Sequence, residues 1–184
     1  MKRALFLNPP SFEGFDGGAG SRYQARREVR SFWYPTWLAQ PAALVPESKL
    51  IDAPAANLPL DSVLCEATEF ELCFIHTSTP SFRADLKTAE PLKDANRALT
   101  IGFVGPHVAV QPEQALKASP AIDFVTRFEF DHTCKEVAEG RPLDRIDGLS
   151  YRTPSGDIAH TRDRALTNME ALPWVVDVYR RDLR

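Results

Sequence analysis

Three short segments of this 184-residue chain gather side chains able to hold a ligand. The first, His76-Thr77-Ser78-Thr79-Pro80-Ser81, is a hydroxyl-rich turn that offers several side-chain donors besides its backbone N–H groups. The second, Gly105-Pro106-His107, opens with the residue type that lets a flat ligand come closest to a backbone. The third, Arg127-Phe128-Glu129-Phe130-Asp131, places a guanidinium and two carboxylates ahead of an expected helix. Each follows an apolar run of strand length. In a wound parallel sheet the carboxyl ends of strands share one rim, and ligands lie there.

Catalytic patterns are missing. His76, His107, His132 and His160 form no HxH or HExxH pair, and no serine stands in a G-x-S-x-G elbow. Cys65, Cys73 and Cys134 are too widely spaced for a CxxC metal pair and odd in number for a disulfide framework. The glycine-rich stretch Gly14, Gly17, Gly18, Gly20 invites a phosphate-loop reading. It fails the dinucleotide fingerprint, because the third glycine after Gly18-Ala19-Gly20 would have to be Tyr23. None of its glycines precedes a lysine, so it is no P-loop either. Only His107, at a strand end after Gly-Pro, stands out among the histidines. The residues describe a chain that holds a ligand for chemistry done elsewhere.

The elements that must position these turns alternate between strand and helix, as in an α/β sheet wound on both faces. Strands are predicted at Arg3–Leu7, Lys49–Asp52, Glu71–His76, Leu99–Val104 and Ile122–Arg127, the first, third and fourth nearly continuous in apolar residues. Predicted helices are a proline-interrupted one over Tyr34–Val45, one capped by Asp61 and ending near Thr68, and a long one over Ser81–Arg97 that Pro91 must kink or divide. Two more begin at Pro112 and at Asp131, the latter closed by Gly140. Gly148–Thr153, a Pro154-Ser155-Gly156 turn and Asp157–Thr161 read as a β-hairpin. The apolar residues Trp174, Val175, Val176, Val178 and Tyr179 require the tail to pack on something. The expected fold class is therefore α/β: a doubly wound, Rossmann-like, flavodoxin-type sheet of five parallel strands with a C-terminal β-hairpin. The expected boundaries are an α/β domain over 1–145 and a hairpin-plus-linker over 146–184.

One connection is out of proportion. The link between the first strand and its helix lies within residues 8–37 and inserts about 25 residues where about 2 to 6 is usual, which favours a lid or partner-contacting segment over Phe12–Trp37. Hydrophobic residues make up 43% of the chain, charged residues 26%, and the net charge is −3, without the basic excess of nucleic-acid binders. No apolar run approaches the roughly 18 residues of a membrane span, and Ala4–Leu7 is too short for a signal peptide. A cytoplasmic protein is expected.

The opening FLNPP, the turn HTSTPSF, the segment IGFVGPHVAVQPEQALKASPAIDFVTRFEFDHTCKEVAEG and the sequel IDGLSYRTPSGDIAH…LTNMEALP resemble the N-terminal cobalamin-binding domain of the B12-dependent radical SAM enzymes. In that family the fourth strand commonly runs into GGPH and a P-E helix start, matched here by Val104-Gly105-Pro106-His107 and Pro112-Glu113. The fifth commonly ends R-G-E-G-E, matched by Arg127-Phe128-Glu129-Phe130-Asp131 with both glycines replaced by phenylalanine. More narrowly, residues 6–44 are similar to the hopanoid-biosynthesis-associated members.

The resemblance implies a cobalamin site lined by Asn8, Pro9, Pro10, Thr77, Ser78, Thr79, Gly105, Pro106, His107, Arg127 and Glu129. Where related cobalamin domains carry D-x-H-x-x-G, this chain has Asn8-Pro9-Pro10-Ser11-Phe12, which implies a cobalt without a histidine ligand and a displaced tail base. The C-x-x-x-C-x-x-C of the 4Fe-4S cluster is absent, so cluster and S-adenosylmethionine are expected in a following C-terminal radical SAM domain of a longer enzyme. A lipid substrate would bring that enzyme to a membrane surface. The competing expectation is a Rossmann-like module without cofactor, used for docking a substrate or partner.

Overall fold

The computed structural model describes residues 1–10 and 33–183. The lid expected over Phe12–Trp37 falls mostly outside them. The strands are β1 (Ala4–Asn8), β2 (Ser48–Asp52), β3 (Leu72–His76), β4 (Thr100–Val104), β5 (Phe124–Thr126), β6 (Leu149–Arg152) and β7 (Ile158–His160). The helices are α1 (Thr36–Ala43), α2 (Ala53–Ala56), α3 (Leu60–Ala67), α4 (Phe82–Ala95), α5 (Pro106–Val110), α6 (Pro112–Ala118), α7 (Asp131–Ala138) and α8 (Val176–Asp182).

All strands join one sheet in the order β2-β1-β3-β4-β5-β6-β7, the first five parallel and the last two antiparallel. The parallel part has the flavodoxin-like order 2-1-3-4-5, whose direction of winding reverses between β1 and β3. The hairpin is not a separate appendage to a five-stranded sheet. Phe124 pairs with Tyr151 and Thr126 with Leu149, so it extends the sheet to seven strands.

Strand side chains alternate between two cores. On one face Leu5, Leu7, Cys73, Ile75, Ile101, Phe103 and Val125 pack under α3, α4, α5 and α6. On the other, Phe6, Phe74 and Phe124 pack with residues of α1, α7 and α8. The phenylalanines make a row: Phe6 stacks on Phe74 at 4.8 Å, and Phe74 meets Phe124 edge-on at 5.9 Å. Between the last two lies Gly102, paired with Phe74 and with Phe124, whose missing side chain makes room for the ring.

Two expected caps fall one or two residues inside their helices. Asp61 and Asp131 lie in the first turns of α3 and α7, where a carboxylate favours the helix dipole, and Pro59 and Phe130 occupy the cap positions. Pro91 stays within α4 and Pro41 within α1, so neither divides its helix. The tail folds as α8 against α1 and β2. There Tyr34 stacks on Tyr179 at 4.7 Å, Tyr179 Oη meets Thr36 Oγ1 at 2.7 Å, and Asp182 Oδ2 accepts from Leu50 N at 2.8 Å. The last contact satisfies a backbone donor on edge strand β2. No helix among the described residues is long and apolar enough to cross a membrane.

Candidate functional site

Two residues beyond the phenylalanine row, the strands on the α1 and α7 face end in polar groups. Asn8 ends β1, His76 ends β3 and Thr126 ends β5, and all are buried. Asn8 Nδ2 donates to Asp52 Oδ1 at 2.7 Å, joining the ends of β1 and β2. Its Oδ1 is buried without a hydrogen-bond partner among the described residues, as is Thr126 Oγ1. The His76 ring lies 5.6 Å from that of Trp37. Pro9 and Pro10 are buried directly after Asn8.

On the opposite face the β3 turn is a hydroxyl network built over a carboxylate. Thr77 Oγ1 and Ser81 Oγ donate to Asp85 Oδ2 at 2.6 and 2.8 Å, and Ser78 Oγ and N lie 2.9 and 3.0 Å from Ser81 Oγ. Burial pushes the Asp85 carboxyl up to about 7, against the opposing effect of the two hydroxyl bonds. Thr79 is exposed, and its Oγ1 lies 3.4 Å from His107 Nδ1. The His107 ring packs on Phe82 at 4.3 Å, its Nε2 is buried without a partner among the described residues, and burial lowers its pKa.

Gly105 has φ +115°, and a Cβ there would stand 2.4 Å from Thr77 O. Thr77 N donates to Val104 O at 2.9 Å. The glycine therefore serves first to let the β3 and β4 ends close on each other.

Arg127 turns to the C-terminal segment. Its guanidinium donates to Leu149 O, to Ser150 Oγ at 2.9 Å, to Thr161 O, and through Nε and Nη2 to Asp163 Oδ1 at 3.1 and 2.9 Å. That engages every donor the group has. Glu129 Oε2 accepts from Thr167 N. Between them Phe128 is 59% exposed with φ +57°, a left-handed conformation that glycine adopts freely and phenylalanine adopts under strain.

The structure thus gathers Asn8, Pro9, Pro10, Thr77, Ser78, Thr79, Gly105, Pro106 and His107 at the carboxyl ends of β1, β3 and β4, with Arg127 and Glu129 bracing the neighbouring segment. It adds Asp52, His76, Asp85 and Thr126. Ser150 Oγ, His160 Nδ1, His160 Nε2 and Glu113 Oε1 form a chain of 2.7 and 3.4 Å contacts that looks hydrolytic, but Ser150 is fully buried and accepts from Arg127. It has no access to substrate. Among the described residues no cluster of three or more His, Cys, Asp or Glu could hold a metal ion. A cavity of about 410 Å³ lies beside edge strand β2, lined among others by Trp33, Tyr34, Leu50, Asp52 and Leu183.

No family model matches the chain. An uncharacterized methyltransferase of Pyrococcus horikoshii is 32% identical to it over 158 residues, covering 80% of this chain and 34% of that protein. The chain thus spans about a third of the length of this curated relative. The radical S-adenosylmethionine methyltransferase TsrM of Kitasatospora setae, solved with cobalamin and an iron-sulfur cluster bound, matches 91% of this chain with 30% of its own at a TM-score of 0.65 and 16% identity. The cobalamin-dependent S-adenosylmethionine radical enzyme OxsB, solved with aqua-cobalamin and S-adenosylmethionine bound, matches 76% of this chain with 21% of its own at a TM-score of 0.61 and 15% identity. The chain shares the fold of one part of each enzyme.

Proposed function

We propose that this chain is a cobalamin-binding domain of a B12-dependent radical SAM enzyme, with the corrin over the carboxyl rim at the junction of β1 and β3. The observation that carries the proposal is the set of buried polar atoms at this rim that lack partners among the described residues: Asn8 Oδ1, Thr126 Oγ1 and His107 Nε2. Buried polar groups are rarely orphaned, and each costs about 1–3 kcal/mol when it is. Asn8 and Thr126 end β1 and β5 and His107 follows β4 in α5, so the three atoms fit a ligand edged with both donors and acceptors that reaches across the strand ends. A corrin fringed with amide side chains is such a ligand.

Asn8, Pro9 and Pro10 would hold it at the β1 end, Thr77, Ser78 and Thr79 at the β3 turn, and Gly105, Pro106 and His107 at the β4 end. Arg127 and Glu129 would act by fixing the segment that flanks the rim. Bound cobalamin supplies the cobalt chemistry; this chain binds, orients and shields it. The β1 turn offers no histidine, in keeping with a base-off corrin without a histidine from that turn. The 4Fe-4S cluster and S-adenosylmethionine belong to a C-terminal radical SAM domain, with residues 1–145 as the cobalamin unit and 146–184 as hairpin and linker towards it. The similarity of residues 6–44 to hopanoid-associated members favours a cytoplasmic enzyme of hopanoid lipid biosynthesis, meeting its lipid substrate at a membrane surface. The 32% identical methyltransferase relative supports the general enzyme class.

One observation favours a docking module without cofactor instead. Phe128 stands exposed and strained at the rim where the resemblance calls for glycine. Hydroxocobalamin mixed with the purified chain and passed through a desalting column separates the two. The proposal expects wild-type protein to retain the corrin and Asn8→Ala and Thr126→Val each to retain less. Colourless wild-type protein favours the docking module.

A further inference from the structure

Asp85 is a charged residue type at a buried position of α4, 2% exposed, on the stripe formed with Phe82, Ala89 and Leu92. No ion pair reaches it among the described residues. The groups facing it from the β3 turn are the hydroxyls of Thr77 and Ser81, and from α5 the titratable group is His107, held against Phe82 with its pKa lowered by burial. A buried carboxylate without a cation is stabilised only by the hydroxyls that donate to it.

Each hydroxyl has one hydrogen, so the network has a direction. With Asp85 ionised, Thr77 and Ser81 both spend their hydrogens on Oδ2. Ser81 Oγ can then accept from Ser78 N and from the Ser78 hydroxyl, which is turned inward. With Asp85 neutral, its own O–H donates to Ser81 Oγ. Ser81 then donates to Ser78 Oγ, which leaves the hydrogen of Ser78, 2% exposed and followed by the exposed Thr79 and Pro80, without an acceptor inside the network. Only hydroxyl rotations and one proton from solvent separate the two arrangements.

We propose that Asp85 is the positioning residue that sets the hydrogen-bonding polarity of the β3 turn: its neutral form frees the Ser78 hydroxyl to donate to an acceptor oxygen of the bound ligand, so that binding takes up one proton. The proposal rests on the binding of cobalamin at this rim, whose phosphate and amide oxygens are the acceptors available. Burial that holds the Asp85 carboxyl near 7 puts the exchange in the neutral range.

Two measurements on the full chain test it. The first needs no ligand. Infrared difference spectra of wild type and Asp85→Asn are expected to show one protonated-carboxyl band that titrates near neutrality, and its absence down to about pH 5, near the ordinary carboxyl range, overturns the proposal. The second is the affinity for hydroxocobalamin from pH 6 to 9. Wild type is expected to weaken by about tenfold per pH unit above neutrality, as uptake of one proton requires. Asp85→Asn and Ser78→Ala are expected to flatten that slope, with Ser78→Ala held at the weaker, high-pH affinity. A flat wild-type profile with tight binding overturns the proposal. Loss of corrin binding at every pH, with the carboxyl band still titrating, overturns the cobalamin reading and leaves the polarity switch supported by its own spectrum.

Discussion

Gly102 on β4 and Phe124 on β5 are paired across the sheet, and a Cβ on Gly102 would stand 2.1 Å from the Phe124 ring. The ring occupies the place of a side chain one strand away, and the row it completes with Phe74 and Phe6 underlies the polar ends Asn8, His76 and Thr126. Gly102→Ala is therefore expected to destabilise the chain by about 1–3 kcal/mol, the usual range for overpacking a core. Chemical denaturation checks this. Phe124→Leu in the same chain should recover part of the loss, because the smaller side chain leaves space for the methyl.

Gly105→Ala should also destabilise, by a different route. The methyl would meet Thr77 O at 2.4 Å, and φ of +115° is hostile to any side chain. A loss on the order of 2 kcal/mol is expected, read as a lower urea midpoint without any ligand present. An unchanged midpoint would mean that the β3 and β4 ends are not closed in this way.

The raised Asp85 carboxyl gives stability a pH dependence of definite sign. Between its ordinary value of 3.8 and about 7, the folded chain holds a proton at Asp85 that the unfolded chain has released. Unfolding then loses that proton, so stability falls as pH rises through this window and levels off above it. The contribution of this single group is on the order of 4 kcal/mol across the window. Denaturation of wild type and Asp85→Asn at pH 4.5, 6 and 8 measures it: the variant should lack this fall.

Arg127 is expected to matter for the hairpin independently of any cofactor. Its donors engage Leu149, Ser150, Thr161 and Asp163, while Glu129 accepts from Thr167. Arg127→Met should cost on the order of 2–3 kcal/mol and make residues 149–167 sensitive to protease. Arg127→Lys should recover little, since an ammonium cannot reproduce the planar fork.

The five parallel strands and the hairpin were legible because alternating and continuous apolar runs mark half-buried and fully buried strands directly. Their joining into one sheet was not, since the pairing of Phe124 with Tyr151 is a contact between distant segments that no local period encodes. The rim turns were legible from strand ends alone. Asp85 was readable and missed: Phe82, Asp85, Ala89 and Leu92 are spaced by helical turns, which puts a carboxylate on an apolar stripe one turn after Ser81. The engagement of Arg127 with the hairpin could not be read, because its partners lie more than twenty residues away and include backbone carbonyls. Likewise α5 followed no amphipathic period, being a single turn set by Gly105 and Pro106.

The most direct test of the central claim is the visible spectrum of hydroxocobalamin titrated with the purified chain. The proposed function predicts a saturable change at one corrin per chain, with the absorbance profile of a base-off corrin. An unchanged spectrum, with all colour passing into the filtrate, would contradict it.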